Sequence, residues 1–186
     1  IMIIVGIVIS LIVSVYELLT RQRGIVWIAY GILNPLILLL PRVIYYRWRE
    51  IRKRATIDMV KRVELFGALA IALNIPGSLF FHDMGVQYDR VIHFSTVVLY
   101  VLMAFIIVSL FFEKPLDNKK NVLKWSGIAV FLGLFLFELF QFMLDIMFGT
   151  HLFFDLKQSI TVDILEDILF GTAGLALGLL YIYYRK

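Results

Sequence analysis

The chain contains no cysteine. That excludes disulfides, zinc–thiolate sites and thiol catalysis, and leaves the redox compartment open. Charge is scarce as well: Asp, Glu, Lys and Arg make up 17% of the residues, against about a quarter in ordinary soluble domains. Glycine-rich nucleotide loops are absent, and no serine stands beside a base in an acyl-transfer arrangement. The Ser-Gly-His and Arg-to-His signatures of lipid phosphatases are missing too, which weakens a simple dephosphorylation chemistry. There is no low-complexity segment, no clear internal repeat and no stretch polar enough for a soluble domain. The first apolar run lacks a basic flank and a small-residue cleavage site, so we expect a retained span and not a removed signal.

What is there in abundance is apolar sequence. Hydrophobic residues reach 61%, aromatics 15% and mean hydropathy +0.90 over 186 residues. Long apolar runs separated by charged connectors define an all-α, polytopic integral membrane protein. Six transmembrane helices are expected, at about 1–19, 25–46, 63–81, 90–112, 125–148 and 163–184, forming a single domain over 1–186. Asn34-Pro35 and Pro41 should kink the second span or end it early, since proline removes a backbone donor and clashes with the preceding turn. Asn74, Pro76 and Gly77 weaken the far end of the third. Arg47 to Arg62 reads as the one strongly basic connector, and Glu113 to Lys124 as a polar loop.

The bases orient the chain. Of its eighteen Lys and Arg, only Arg21, Arg23, Arg90 and Lys157 fall on one side of this arrangement. The positive-inside rule therefore puts both termini and the two basic loops in the cytoplasm. It also explains the net charge of +4 without invoking nucleic acid. The partner expected instead is membrane lipid. All three histidines, His82, His93 and His151, lie on the opposite, non-cytoplasmic side, together with most of the aspartates.

The sharpest stretch is Tyr88-Asp89-Arg90-Val91-Ile92-His93-Phe94, at the mouth of an apolar run. On a helix Asp89 and His93 share a face, and Arg90 points about 100° away from Asp89 toward a different neighbour. In the fifth span Glu138, Gln141 and Asp145 share a face, with Glu138 about 10 Å below Asp145. In the sixth, Asp163 and Asp167 share a face with Gly171, Gly174 and Gly178, a row that admits a close helix neighbour. A pocket walled by these three spans would hold an imidazole and several carboxyl groups. In low dielectric they cannot all be ionised unless a cation neutralises them. A divalent metal held by His93, Glu138, Asp163 and Asp167 is one resolution: zinc, manganese or iron if the imidazole ligates, calcium or magnesium if it does not. Interhelical salt bridges, with Arg90 tied to Asp89 or Asp163, are a second. A proton or ion pathway through Glu138 is a third. His82-Asp83 is a further outer-loop candidate, and His151 and Asp155 flank Phe153-Phe154 in a loop expected to dip into the interface or cover the site.

These residues carry a resemblance. The Tyr88–Phe94 run, Phe137-Glu138-Leu139-Phe140-Gln141-Phe142, Phe148-Gly149-Thr150, and Asp163 and Asp167 ahead of Gly171 resemble the YjdF-like inner-membrane family, and more loosely the VanZ-like proteins. The likeness runs from about Phe80 to Gly178. It implies a prokaryotic multi-pass membrane fold of unassigned activity. Gln141 stands where a second glutamate is expected, and His151 and Asp155 replace a Gly-Asp-x-Trp-Asp pattern. Function must therefore come from the site. One expectation is a metal-assisted enzyme acting on a lipid or isoprenoid head group, with Asp89 or Glu166 as general base and Arg90 binding an anionic group. The alternatives are an ion- or proton-coupled transporter and a structural or regulatory subunit.

Overall fold

A computed structural model describes residues 2–21, 24–76, 88–113, 115, 117–148 and 160–185. Among these the chain forms seven helices: α1 (Met2–Arg21), α2 (Gly24–Arg47), α3 (Arg49–Arg54), α4 (Ile57–Pro76), α5 (Tyr88–Ser109), α6 (Lys119–Phe148) and α7 (Ile160–Tyr184). Three stretches, Tyr88–Ser109, Lys119–Phe140 and Thr161–Tyr184, are long and apolar enough to cross a membrane. The helical state follows from composition, because a backbone in an apolar medium must satisfy its own hydrogen bonds. Hydroxyls obey the same demand. Ser10, Ser14, Thr96 and Ser126 each donate to the carbonyl four residues back, so none needs a partner across a helix interface.

Among the differences from the sequence expectation, three stand out. Arg47–Arg62 is largely helical: it holds α3 and the first turns of α4, with Thr56 Oγ1 accepting from the Met59 amide near the α4 start. The helix α4 itself starts at Ile57, ahead of the apolar stretch expected from 63, because polar residues can extend a helix beyond its apolar part. Second, α2 runs unbroken through Pro35 and Pro41 to Arg47, so neither proline ends it early. Prolines are tolerated within membrane helices where neighbouring groups satisfy the freed carbonyls. Third, α6 begins at Lys119, inside the expected polar loop.

The helices form two triplets. α1, α2 and α4 pack on one another, as do α5, α6 and α7, and the triplets meet chiefly through α4 against α5. In the second triplet α5 and α7 run parallel. Gly174 lies against Phe94, and Gly178 against Val101. A Cβ on Gly174 would overlap the Phe94 carbonyl oxygen, and one on Gly178 would sit 2.9 Å from Val101 Cβ. α6 runs antiparallel to α7, with Leu134 over Gly171 and Gly127 beside Leu179. Val97, Val101, Leu123, Val130, Leu134, Leu175 and Ile182 fill the space between the three. Lys119 donates to the Tyr183 and Arg185 carbonyls at 3.1 and 2.8 Å. It thereby meets the negative end of the α7 dipole and pins the lower ends of α6 and α7 together.

Candidate metal centre

The close α5–α7 approach decides where the polar side chains meet. Tyr88 Oη donates to the Leu73 carbonyl at 3.0 Å, fixing the first turn of α5 on the last turns of α4. One turn on, His93 projects between α6 and α7, its side chain 12% exposed. Its two ring nitrogens face different groups. Nε2 lies 3.6 Å from Asp89 Oδ1 and 3.5 Å from Asp167 Oδ1. Nδ1 lies 3.5 Å from Glu138 Oε1.

Asp89, His93 and Asp167 each offer one donor atom, and the three atoms lie within 4.8 Å of one another. Two ligands bound at about 2.1 Å to one tetrahedral ion sit roughly 3.4 Å apart. The two Nε2–carboxylate separations are close to that figure, so a cation between these atoms requires little movement. Asp89 is half exposed and opens the group to the surface, while Asp167 is buried. Asp163 is buried one turn earlier on α7 and stands outside the group of three.

Glu138 comes from α6, its side chain 3% exposed. Its Oε1 has no hydrogen-bond partner among the described residues, although His93 Nδ1 is within ion-pair reach. A buried carboxylate oxygen left unmet costs free energy. The nearest group that can meet it is the Nδ1–H of the imidazole. A proton on Nδ1 would meet it, and a cation held by Nε2 together with Asp89 and Asp167 would then require that tautomer. A carboxylate behind a histidine in front of a metal is the usual outer-shell arrangement.

The geometry groups these residues differently from the expectation. Asp89, expected as a general base, stands with the ligand group, and Glu138, expected as a ligand, stands behind the imidazole. Arg90, expected to tie to Asp89 or Asp163, makes a forked ion pair that runs across to Glu166 of α7. Its guanidinium grips Glu166 in a forked contact, Nε to Oε2 at 3.0 Å and Nη2 to Oε1 and Oε2 at 2.7 and 2.6 Å, while Phe170 lies 5.7 Å beneath Cζ. The reason is angular. Arg90 leaves α5 away from the Asp89–His93 face, and Glu166 leaves α7 away from the Asp163–Asp167 face, so the two meet on the flank of the same interface. His82, Asp83, His151 and Asp155 lie outside the described residues, as do the side chains of Gln141 and Asp145.

One charged pair had no counterpart in the sequence expectation. Arg42 of α2 holds Glu64 of α4 in a second forked contact, at 2.8 and 2.7 Å, with Glu64 buried to 3% exposure. The signal was present: a lone acid two residues inside an expected apolar span demands a partner.

No curated protein and no solved structure matches this chain. A family match does exist, over residues 1–186, to the family described as "Predicted membrane protein (DUF2238)". It accords with the YjdF-like resemblance and says nothing of the VanZ-like proteins. Full-length coverage, together with three helices of membrane-crossing length, is why this chain belongs to the DUF2238 family of predicted membrane proteins.

Proposed function

We propose that this protein crosses the membrane six times with both termini in the cytoplasm, and binds a divalent cation on its non-cytoplasmic side. His93 Nε2, Asp167 and Asp89 would hold the ion, with Asp163 one turn away as a further oxygen donor. One observation carries the proposal: a single ring nitrogen of a largely buried imidazole faces carboxylate oxygens from two helices at separations a shared ion would set. The orphaned Glu138 oxygen behind Nδ1 supports the same tautomer. An imidazole ligand among carboxylates favours zinc, manganese or iron over calcium and magnesium. When bound, such an ion would polarise a phosphate or carbonyl oxygen presented at the outer leaflet, where lipid and isoprenoid head groups lie.

Turnover is not part of the proposal. Arg90 and Glu166 are engaged with one another, so either would have to leave this pair to act as the expected anion clamp or general base. That pair supports a structural role for part of the polar cluster, as a staple between α5 and α7.

The test is metal analysis of detergent-purified protein, stripped with chelator and reloaded with zinc or manganese. Wild type should retain stoichiometric metal, and His93→Ala and Asp167→Asn should lose it. Arg90→Gln should keep it, which separates ligation from bundle integrity. Wild-type protein that retains no metal, or variants that retain as much, would overturn the proposal.

A further inference from the structure

At the opposite end of α6 from Glu138 lies an open apolar groove of about 660 Å³ between α6 and α7. Its floor is set by Gly127, where a Cβ would approach Leu179 Cδ1 to 3.2 Å. Phe131, Leu132 and Leu175 form its deep end, and Lys120, Lys124 and Tyr183 form its mouth. We propose that this groove holds one anionic phospholipid, its acyl chain along α6 and its phosphate between Lys120 and Lys124.

Charge and length select this occupant. Lys120 and Lys124 are exposed, one turn apart on the face that continues into Gly127 and Phe131. No carboxylate among the described residues pairs with either. The neighbouring Lys119 is already spent on the carbonyls at the end of α7, whereas Lys124, at the groove mouth, lies over the Trp125 ring at 5.9 Å. Two unneutralised ammonium groups beside an apolar channel match a lipid phosphate, and the amphipathic Tyr183 belongs at head-group level. From Lys120 to Leu132 the helix rises about 18 Å. That is close to the roughly 15 Å of one hydrocarbon leaflet plus the start of its head-group layer. The groove therefore ends where the tail of a single lipid ends. A detergent-like or peptide occupant would satisfy the channel but leave the paired lysines without a counter-charge. This site is independent of the cation site, which lies toward the other membrane surface.

Trp125, half exposed beside the groove mouth, is the reporter. In a Trp27→Phe/Trp48→Phe background it is the one remaining tryptophan. Reconstituted into vesicles that mix brominated phosphatidylglycerol with plain phosphatidylcholine, or the reverse, Trp125 should be quenched selectively by the brominated anionic lipid. The relative association constant should favour phosphatidylglycerol on the order of tenfold, roughly what two lysines at an anionic surface supply. Lys120→Gln/Lys124→Gln should bring that preference close to one. Arg52→Gln/Lys53→Gln, which removes two exposed charges from α3, should leave it unchanged. Equal quenching by the two lipids in wild type, a preference that survives the Lys120→Gln/Lys124→Gln change, or equal loss in the α3 control would each overturn the proposal.

Discussion

His93 is the residue on which the others depend, because its two nitrogens have been given different partners by different helices. Asp89 and Asp167 lie at Nε2, and Glu138 lies at Nδ1. If Glu138 orients the ring from behind, its loss should weaken metal binding without abolishing it. Glu138→Gln keeps the shape and an oxygen acceptor but loses the charge. We expect it to lower zinc affinity by about tenfold to a hundredfold, the range seen when outer-shell partners of ligating histidines are changed. Competition against a fluorescent chelator measures this directly, and an affinity within about twofold of wild type would place Glu138 outside the centre. Half of this arrangement was legible in the sequence. The Asp89–His93 pairing follows from a spacing of four on one helix. Which ring nitrogen faces which carboxylate does not, because it depends on the rotation of α6 about its own axis, set by Leu134 over Gly171 and by Lys119 at the far end. Arg90's choice of Glu166 was likewise hidden: Asp89 is its neighbour in sequence, Asp163 and Glu166 lie on one turn of α7, and only the angle at which each side chain leaves its helix separates them.

At the scale of the element, the α5–α7 interface is the part that must be exact to a fraction of an ångström. Gly174 touches the Phe94 backbone, one residue beyond His93, so helix separation there sets the distance from His93 to Asp167. Gly174→Ala should therefore do two things together. It should destabilise the bundle by about 1–3 kcal/mol or more, since the obstructing atom is backbone and cannot rotate aside. It should also weaken metal binding, by spreading two ligands that come from different helices. Gly133→Ala is the matched control: a Cβ there meets nothing within 4 Å, and alanine is the better helix former by up to about 1 kcal/mol. Thermal unfolding in detergent should show the first variant melting earlier and the second at or above wild type. Equal behaviour of the two would mean that the glycine row does not control the interface. The existence of this row, its helix and its facing direction were all readable from a spacing of three and four following the aspartates. Helix ends were less so. Polar residues such as Asp58, Lys61 and Lys119 extend α4 and α6 past the apolar run, where hydropathy carries no signal and hydrogen bonding alone decides.

For the whole molecule, the two triplets and their two forked Arg–Glu pairs bear on orientation. Arg42–Glu64 ties α2 to α4, and Arg90–Glu166 ties α5 to α7. Each triplet thus carries one such tie near an end of its helices. On the proposed topology of six crossings and cytoplasmic termini, Arg42–Glu64 would lie toward the cytoplasm, and Arg90–Glu166 would lie with the proposed cation site toward the exterior. The lysine-rich segment around Lys119, Lys120 and Lys124 would then sit on the inner surface, where the positive-inside rule and an anionic leaflet both favour it. The natural absence of cysteine makes this arrangement directly measurable. Asp117→Cys, in the exposed turn before α6, and Thr161→Cys, exposed in the first turn of α7, are separated among the described residues by one helix, α6, and should fall on opposite sides. A membrane-impermeant maleimide added to intact cells should label Thr161→Cys at once, and Asp117→Cys only after permeabilisation. The reverse order would turn the molecule over, moving the cation site to the cytoplasmic face and the lysine-mouthed groove to the outer leaflet. Labelling of both from one side would remove α6 as a crossing. Metal loading measured on the same two variants keeps the outcomes separate, because neither Asp117 nor Thr161 lies among the residues that surround His93, and a change of side would leave the chemistry of the centre intact.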